Sequence, residues 1–189
     1  MKYIALLVSV LFSSSAFANW SLENSESTLS FVSTKKSAVG EVHHFKSING
    51  TVSEKGEIAI EIDLSSVETG IGIRNDRMKA MLFNVAKFAK AHVTANVDKQ
   101  KLDALAVGEA YVDTVAFTVS LHGLSQYLTS KIKVVKLKEG KILASSVQPI
   151  VINAGQFGLD AGIEKLREVA GLPSISTAVP VMFDLAFKR

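Results

Sequence analysis

The sequence predicts a mainly β, antiparallel fold of about eight strands with one or two short helices. Three observations carry that expectation. Several segments alternate apolar and polar residues with a period of two. Turn-forming pairs recur between them, and two segments switch to helical spacing.

The alternation is strictest at 57–64, where Ile58, Ile60, Ile62 and Leu64 share one face while Ala59, Glu61 and Asp63 share the other. Residues 113–121 repeat it with Val115, Phe117, Val119 and Leu121. The closing segment does so with Val179, Val181, Phe183, Leu185 and Phe187. Weaker strand patterns lie at 29–33, around Phe31, and at 92–97, 130–137 and 147–153, and the His43-His44 pair sits on a further strand. Asn49-Gly50 reads as a hairpin turn, because type I′ turns need positive φ at both central positions. That turn is preferred to the glycosylation sequon that Asn49-Gly50-Thr51 also matches. Lys55-Gly56 and Glu139-Gly140 mark two more connections.

The first helical segment spans 75–88, with Met78, Leu82 and Val85 at i, i+4, i+7. The second spans 160–170, with Ile163, Leu166 and Val169 in phase, Asp160 as its cap, Gly171 as its stop and Pro173 beyond. Even strand spacing suits a closed barrel or a sandwich. An eight-stranded barrel is filled by its own side chains or holds one small ligand, and periodicity alone favours the filled interior.

The N-terminus predicts export. Lys2 precedes an apolar run from Tyr3 to Phe12, then small residues, then Ala16-Phe17-Ala18. This is the form of a cleavable secretory signal over residues 1–18, and the run is too short for a bilayer span. Removing 18 residues from 189 leaves 171, and losing Lys2 takes the formal charge from +3 to +2. The expectation is therefore one domain over 19–189 in the periplasm, with no transmembrane segment. So mild a charge speaks against nucleic acid as a partner. The absence of cysteine removes thiol chemistry, thiolate metal sites and disulfides.

No catalytic constellation is recognisable. His43 and His44, as strand neighbours, point to opposite faces, and His92 and His122 stand alone, so no metal site is expected. Gly70 and Gly72 form a G-x-G, but Asn75 stands where a dinucleotide fingerprint needs its third glycine. The densest segment is 65–92, where Arg74, Asp76, Arg77 and Lys79 interleave with Met78, Met81, Leu82, Phe83 and Phe88. It reads as a lid with cations at a rim, or as an amphipathic helix lying across a sheet with solvated charges. The second reading is the commoner outcome.

Taken in order, several motifs resemble the YceI-like family of bacterial periplasmic and secreted proteins. They are Trp20, Ser27-Thr28-Leu29-Ser30-Phe31-Val32, Ile62-Asp63-Leu64-Ser65-Ser66-Val67-Glu68-Thr69-Gly70, Arg74-Asn75-Asp76-Arg77-Met78 and Leu82-Phe83-Asn84-Val85-Ala86-Lys87-Phe88. Leu121-His122-Gly123, Gln156-Phe157-Gly158-Leu159, Ser174-Ile175-Ser176 and Val179-Pro180-Val181 continue the likeness to the C-terminus. The chain departs from the family at Ala89 and at Leu124, where prolines are common.

The resemblance implies a lipocalin-like barrel with a tunnel for a polyisoprenoid chain such as a prenyl-quinone, and no further cofactor. On that basis Phe31, Ile60, Ile62, Met78, Leu82, Val85, Val119, Leu121, Phe183 and Leu185 are the expected tunnel lining, with Arg74 and Arg77 at the mouth. The expected partner is an apolar lipid, with passing membrane contact compatible and monomer or homodimer both open. A small-substrate enzyme or stress-response factor, and a solid-core protein with a partner-binding surface, are the alternatives on the same fold.

Overall fold

The computed structural model describes residues 20–189. The expected leader and its cleavage point after Ala18 lie outside the described residues.

The strands are β1 (Trp20–Leu22), β2 (Thr28–Lys35), β3 (Val39–Phe45), β4 (Ile48–Val52), β5 (Glu57–Asp63), β6 (Val67–Glu68), β7 (Lys90–Asn96), β8 (Ala110–Leu121), β9 (Leu124–Lys136), β10 (Lys141–Ser146), β11 (Ile150–Asn153) and β12 (Ala178–Lys188). All pair antiparallel. Neighbours run β1-β4-β5-β7-β8-β9-β10-β12, and β1 also pairs with β12, so eight strands close into a barrel. The long β12 then continues past the ring, pairing with β2 and β11, and β3 and β6 extend that side.

The turns follow backbone chemistry. His122-Gly123 joins β8 to β9 with both residues at positive φ, 53° and 81°, and Glu139-Gly140 joins β9 to β10 in the same way. Asn49-Gly50 is not the expected turn. Both residues lie inside β4, where Gly50 faces Ile60 of β5. A Cβ on Gly50 would come 2.4 Å from the Ile60 side chain, so glycine here makes room for a cavity-facing isoleucine.

The first helical segment also departs from expectation. It is α1 (Gly72–Arg77) followed by one π turn (Met78–Leu82), in which Phe83 N–H donates to the Met78 carbonyl. A π turn adds a residue to the rotation, so the i, i+4, i+7 face does not persist. Phe83 becomes buried in the core, and Val85 lies beyond the turn, half-buried. A short helix not expected from the sequence, α2 (Lys99–Ala104), crosses one end of the barrel and buries Leu102. The second expected helix is α3 (Asp160–Val169), where Leu159 holds the cap position and Asp160 enters the first turn.

Candidate functional site

The barrel is hollow. Its inward side chains, together with the outward-facing Thr114, Ala116, Thr118 and Tyr127 beside the β7–β8 gap, border a continuous space of about 1060 Å³ that runs from α2 to α3. That is the upper end of the range for small-molecule sites. Inward residues such as Val93, Val119, Leu121 and Phe183 remain partly accessible because they face this space instead of a neighbour. Periodicity could not distinguish this outcome from a filled interior, since both put apolar residues inward.

Eight of the expected lining residues border the cavity: Phe31, Ile60, Ile62, Leu82, Val119, Leu121, Phe183 and Leu185. Met78 and Val85 do not. The π turn rotates Met78 into the packing beneath the helix and delivers Phe83 to the wall in place of Val85. Leu102, Phe45, Leu159 and Ile163 also line the cavity. Sequence reasoning missed Leu102 because α2 shows too little periodicity over six residues to stand out.

Arg74 and Arg77 do not border the cavity either. Arg74 donates from Nη1 to Glu41 at 2.7 Å and from Nη2 to the Thr69 carbonyl at 2.6 Å, and Lys35 also pairs with Glu41 at 2.8 Å. These bonds turn the guanidinium away from the tunnel and tie α1 to β3. Arg77 is half-buried at the end of α1. Within the wall, Phe31, Phe45 and Phe83 make a chain of ring contacts at 5.4 and 5.8 Å, and behind it His43 meets Phe31 edge-on at 5.3 Å. Burial, and then the Arg74 charge, hold the His43 imidazole below its ordinary pKa, so it is neutral. His43 Nδ1 and Arg74 Nε are buried without a partner among the described residues.

The charged part of the lining sits at the α2 end, while the polar Thr94, Thr118 and Tyr127 border the cavity nearer the β8–β9 turn. Every charged residue that borders the cavity, Glu57, Asp98 and Asp113, lies there, together with Ser53 and Asn96. The α3 end is bordered by Ile152, Ala154, Leu159, Ile163 and Val179. A ligand with a polar head and an apolar tail is thereby given a direction: head toward α2, tail toward α3. Two features hold the α2 end together. Trp20 Nε1–H donates to the Gly140 carbonyl at 3.1 Å, with the Lys99, Lys136 and Arg189 cations about its ring. Lys101 of α2 pairs with Asp113 of β8 at 2.7 Å.

Among the described residues no cluster of three or more His, Cys, Asp or Glu is arranged to hold a metal, and no helix is long and apolar enough to cross a membrane.

A polyisoprenoid binding domain from Saccharophagus degradans, implicated in plant cell wall breakdown, is similar with a TM-score of 0.88 and 41% identity, over 89% of this chain and 97% of that one. BcnA of Burkholderia cenocepacia shares the fold with a TM-score of 0.67 at 19% identity, over 87% and 98% of the two chains. The YceI protein of Campylobacter jejuni does so with a TM-score of 0.56 at 13% identity, over 78% and 84%. No curated protein matches the sequence. The profile of the YceI-like domain matches residues 20–187, so the chain belongs to the YceI-like domain family.

Proposed function

We propose that this protein is a periplasmic binding and carrier protein for a long apolar isoprenoid lipid, a polyprenyl chain or prenyl-quinone, held in the barrel interior. The observation that carries the reading is the continuous, apolar-walled cavity inside a closed barrel. The likeness to a polyisoprenoid binding domain at 41% identity supports the same ligand class. The sequence of the leader supports export.

The physics fits such a cargo. An isoprenoid tail is insoluble and needs no hydrogen bonds, only a dry wall of suitable length. Burying it gains about 0.8 kcal/mol per carbon group, so roughly 4 kcal/mol per five-carbon unit. A few units offset the ordering costs of binding. The protein's part in this is to exclude water along the tail and to offer Ser53, Asn96 and their neighbours to a headgroup. The reading assigns no bond-making step and needs no cofactor.

Organic extraction of protein purified from its native host, followed by mass spectrometry, tests it. A stoichiometric isoprenoid is the expected result. Protein that emerges empty from native membranes and fails to take up a prenyl-quinone in vitro overturns the carrier reading.

A further inference from the structure

The ladder between β7 and β8 covers only four residues, His92 to Ala95 against Phe117 to Ser120. β8 continues toward α2 for seven more residues, from Ala110 to Ala116, bonded to β9 alone. α2 covers this seam by one buried side chain, Leu102, and the Lys101–Asp113 ion pair. No strand hydrogen bonds have to break for the seam to open. The cavity reaches it, since Val97, Leu102, Tyr111 and Val115 all border the void.

The outer face beside the seam has an unusual composition. On β8 it carries Ala110, Val112, Thr114, Ala116 and Thr118. In register on β9 it carries Val135, Lys133, Lys131, Thr129 and Tyr127. Tyr127 is 72% and Val112 54% exposed, and Val107, in the loop from α2 to β8, is 59% exposed. Lys131 and Lys133 have no ion-pair partner among the described residues. None of these outward strand positions is acidic, and an exposed acid, Glu109, lies in the loop with Val107.

We propose that the outer face of β8 and β9 lays the protein on an anionic membrane surface, and so brings the α2-covered seam to the lipid. Tyrosine and valine side chains suit the headgroup region of a bilayer, and long lysines reach its phosphates. Each lysine near an anionic leaflet adds attraction that salt weakens. A second copy of the chain is a poorer occupant, because a two-fold contact would bring two lysine-bearing faces of like charge together. The proposal rests on the carrier reading for its purpose, but vesicle binding tests the surface whatever the tunnel holds.

The experiment is co-sedimentation of the mature protein with vesicles of phosphatidylcholine, with and without phosphatidylglycerol. The expected result is binding to the anionic vesicles only, lost at high salt. The double variant Lys131→Glu/Lys133→Glu should bind at least about tenfold more weakly. Its control, Lys36→Glu/Lys165→Glu, makes the same charge change on exposed residues at the other end of the barrel and should bind normally. An unchanged thermal midpoint shows that the first variant is folded. If it is not, Lys131→Gln/Lys133→Gln replaces it.

Equal loss in the control overturns the proposal, as does full binding by the Lys131/Lys133 variant, or no binding by the wild type. A variant that keeps vesicle binding but shifts oligomeric state assigns the face to contacts between copies instead, and also overturns it. Failure of the carrier reading is read elsewhere, in empty native protein that still sediments with vesicles.

Discussion

Glu68 shows how much one side chain fixes at the entry to α1. Its carboxylate accepts from Lys46 Nζ, from Asn75 Nδ2 at 2.9 Å and from the Gly70 backbone N–H at 2.7 Å. The Lys46 bond, then Asn75 and Gly70, hold its pKa down at about 2 against an ordinary 4.5. The group is depressed in the folded state, so its contribution is complete above the unfolded pKa and is lost as pH falls toward the folded one. Glu68→Gln should therefore be less stable than wild type at pH 7, and the difference should shrink between about pH 5 and pH 2. Urea unfolding at several pH values measures this, and a gap that does not change with pH would refute it. None of this network shows in the sequence as a site. The sequence offered Arg74 as a mouth residue because cations there alternate with apolar side chains, whereas the structure binds it to Glu41, 33 residues away.

At the scale of elements, the contact between the π turn and α3 decides how the α3 end of the tunnel is covered. Gly162 of α3 sits where a Cβ would lie 2.7 Å from the Met81 carbonyl oxygen and 2.9 Å from Leu82 Cα. Both are backbone atoms, and no rotamer relieves the clash. Gly162→Ala in a helix interior ordinarily stabilises by about 1 kcal/mol. Here it should destabilise by about 1–3 kcal/mol, because the two segments must move apart. A raised thermal midpoint for this variant would show the contact to be loose. Leu82 lines the cavity from the same turn, so Leu82→Glu puts a carboxylate at the wall of a wet or lipid-filled space. It should lower bound lipid several-fold more than it lowers stability, because cavity water can solvate the charge. Lipid content against thermal midpoint reads the difference, and unchanged lipid in a destabilised protein counts against the idea. Residues 57–64 and 113–121 were legible as strands because apolar residues at every second position point inward. β4 was not, since its Asn49-Gly50 pair mimics a turn. The π turn differs from an α turn by one residue, which a three-residue apolar pattern cannot resolve.

Over the whole molecule, alternation and turn spacing specified the antiparallel barrel, while the hollow interior depended on side-chain sizes acting across the ring. Gly50, Ala91, Ala95 and Ala144 are small residues on inward or cavity-bordering positions, and no local pattern reveals that their partners leave space. The polar end was equally hidden, because Ser53, Asn96 and Asp113 come from three separate places in the chain, the β4–β5 turn, the end of β7 and the start of β8. The ring is joined where Ser21 meets Lys188 and Leu22 meets Phe187, so the two extremes of the described chain form one seam. Such contacts carry the largest loop-closure entropy in the fold and form late. While β12 is still being made, β1 has only half its partners. The barrel therefore stays open until its last strand arrives.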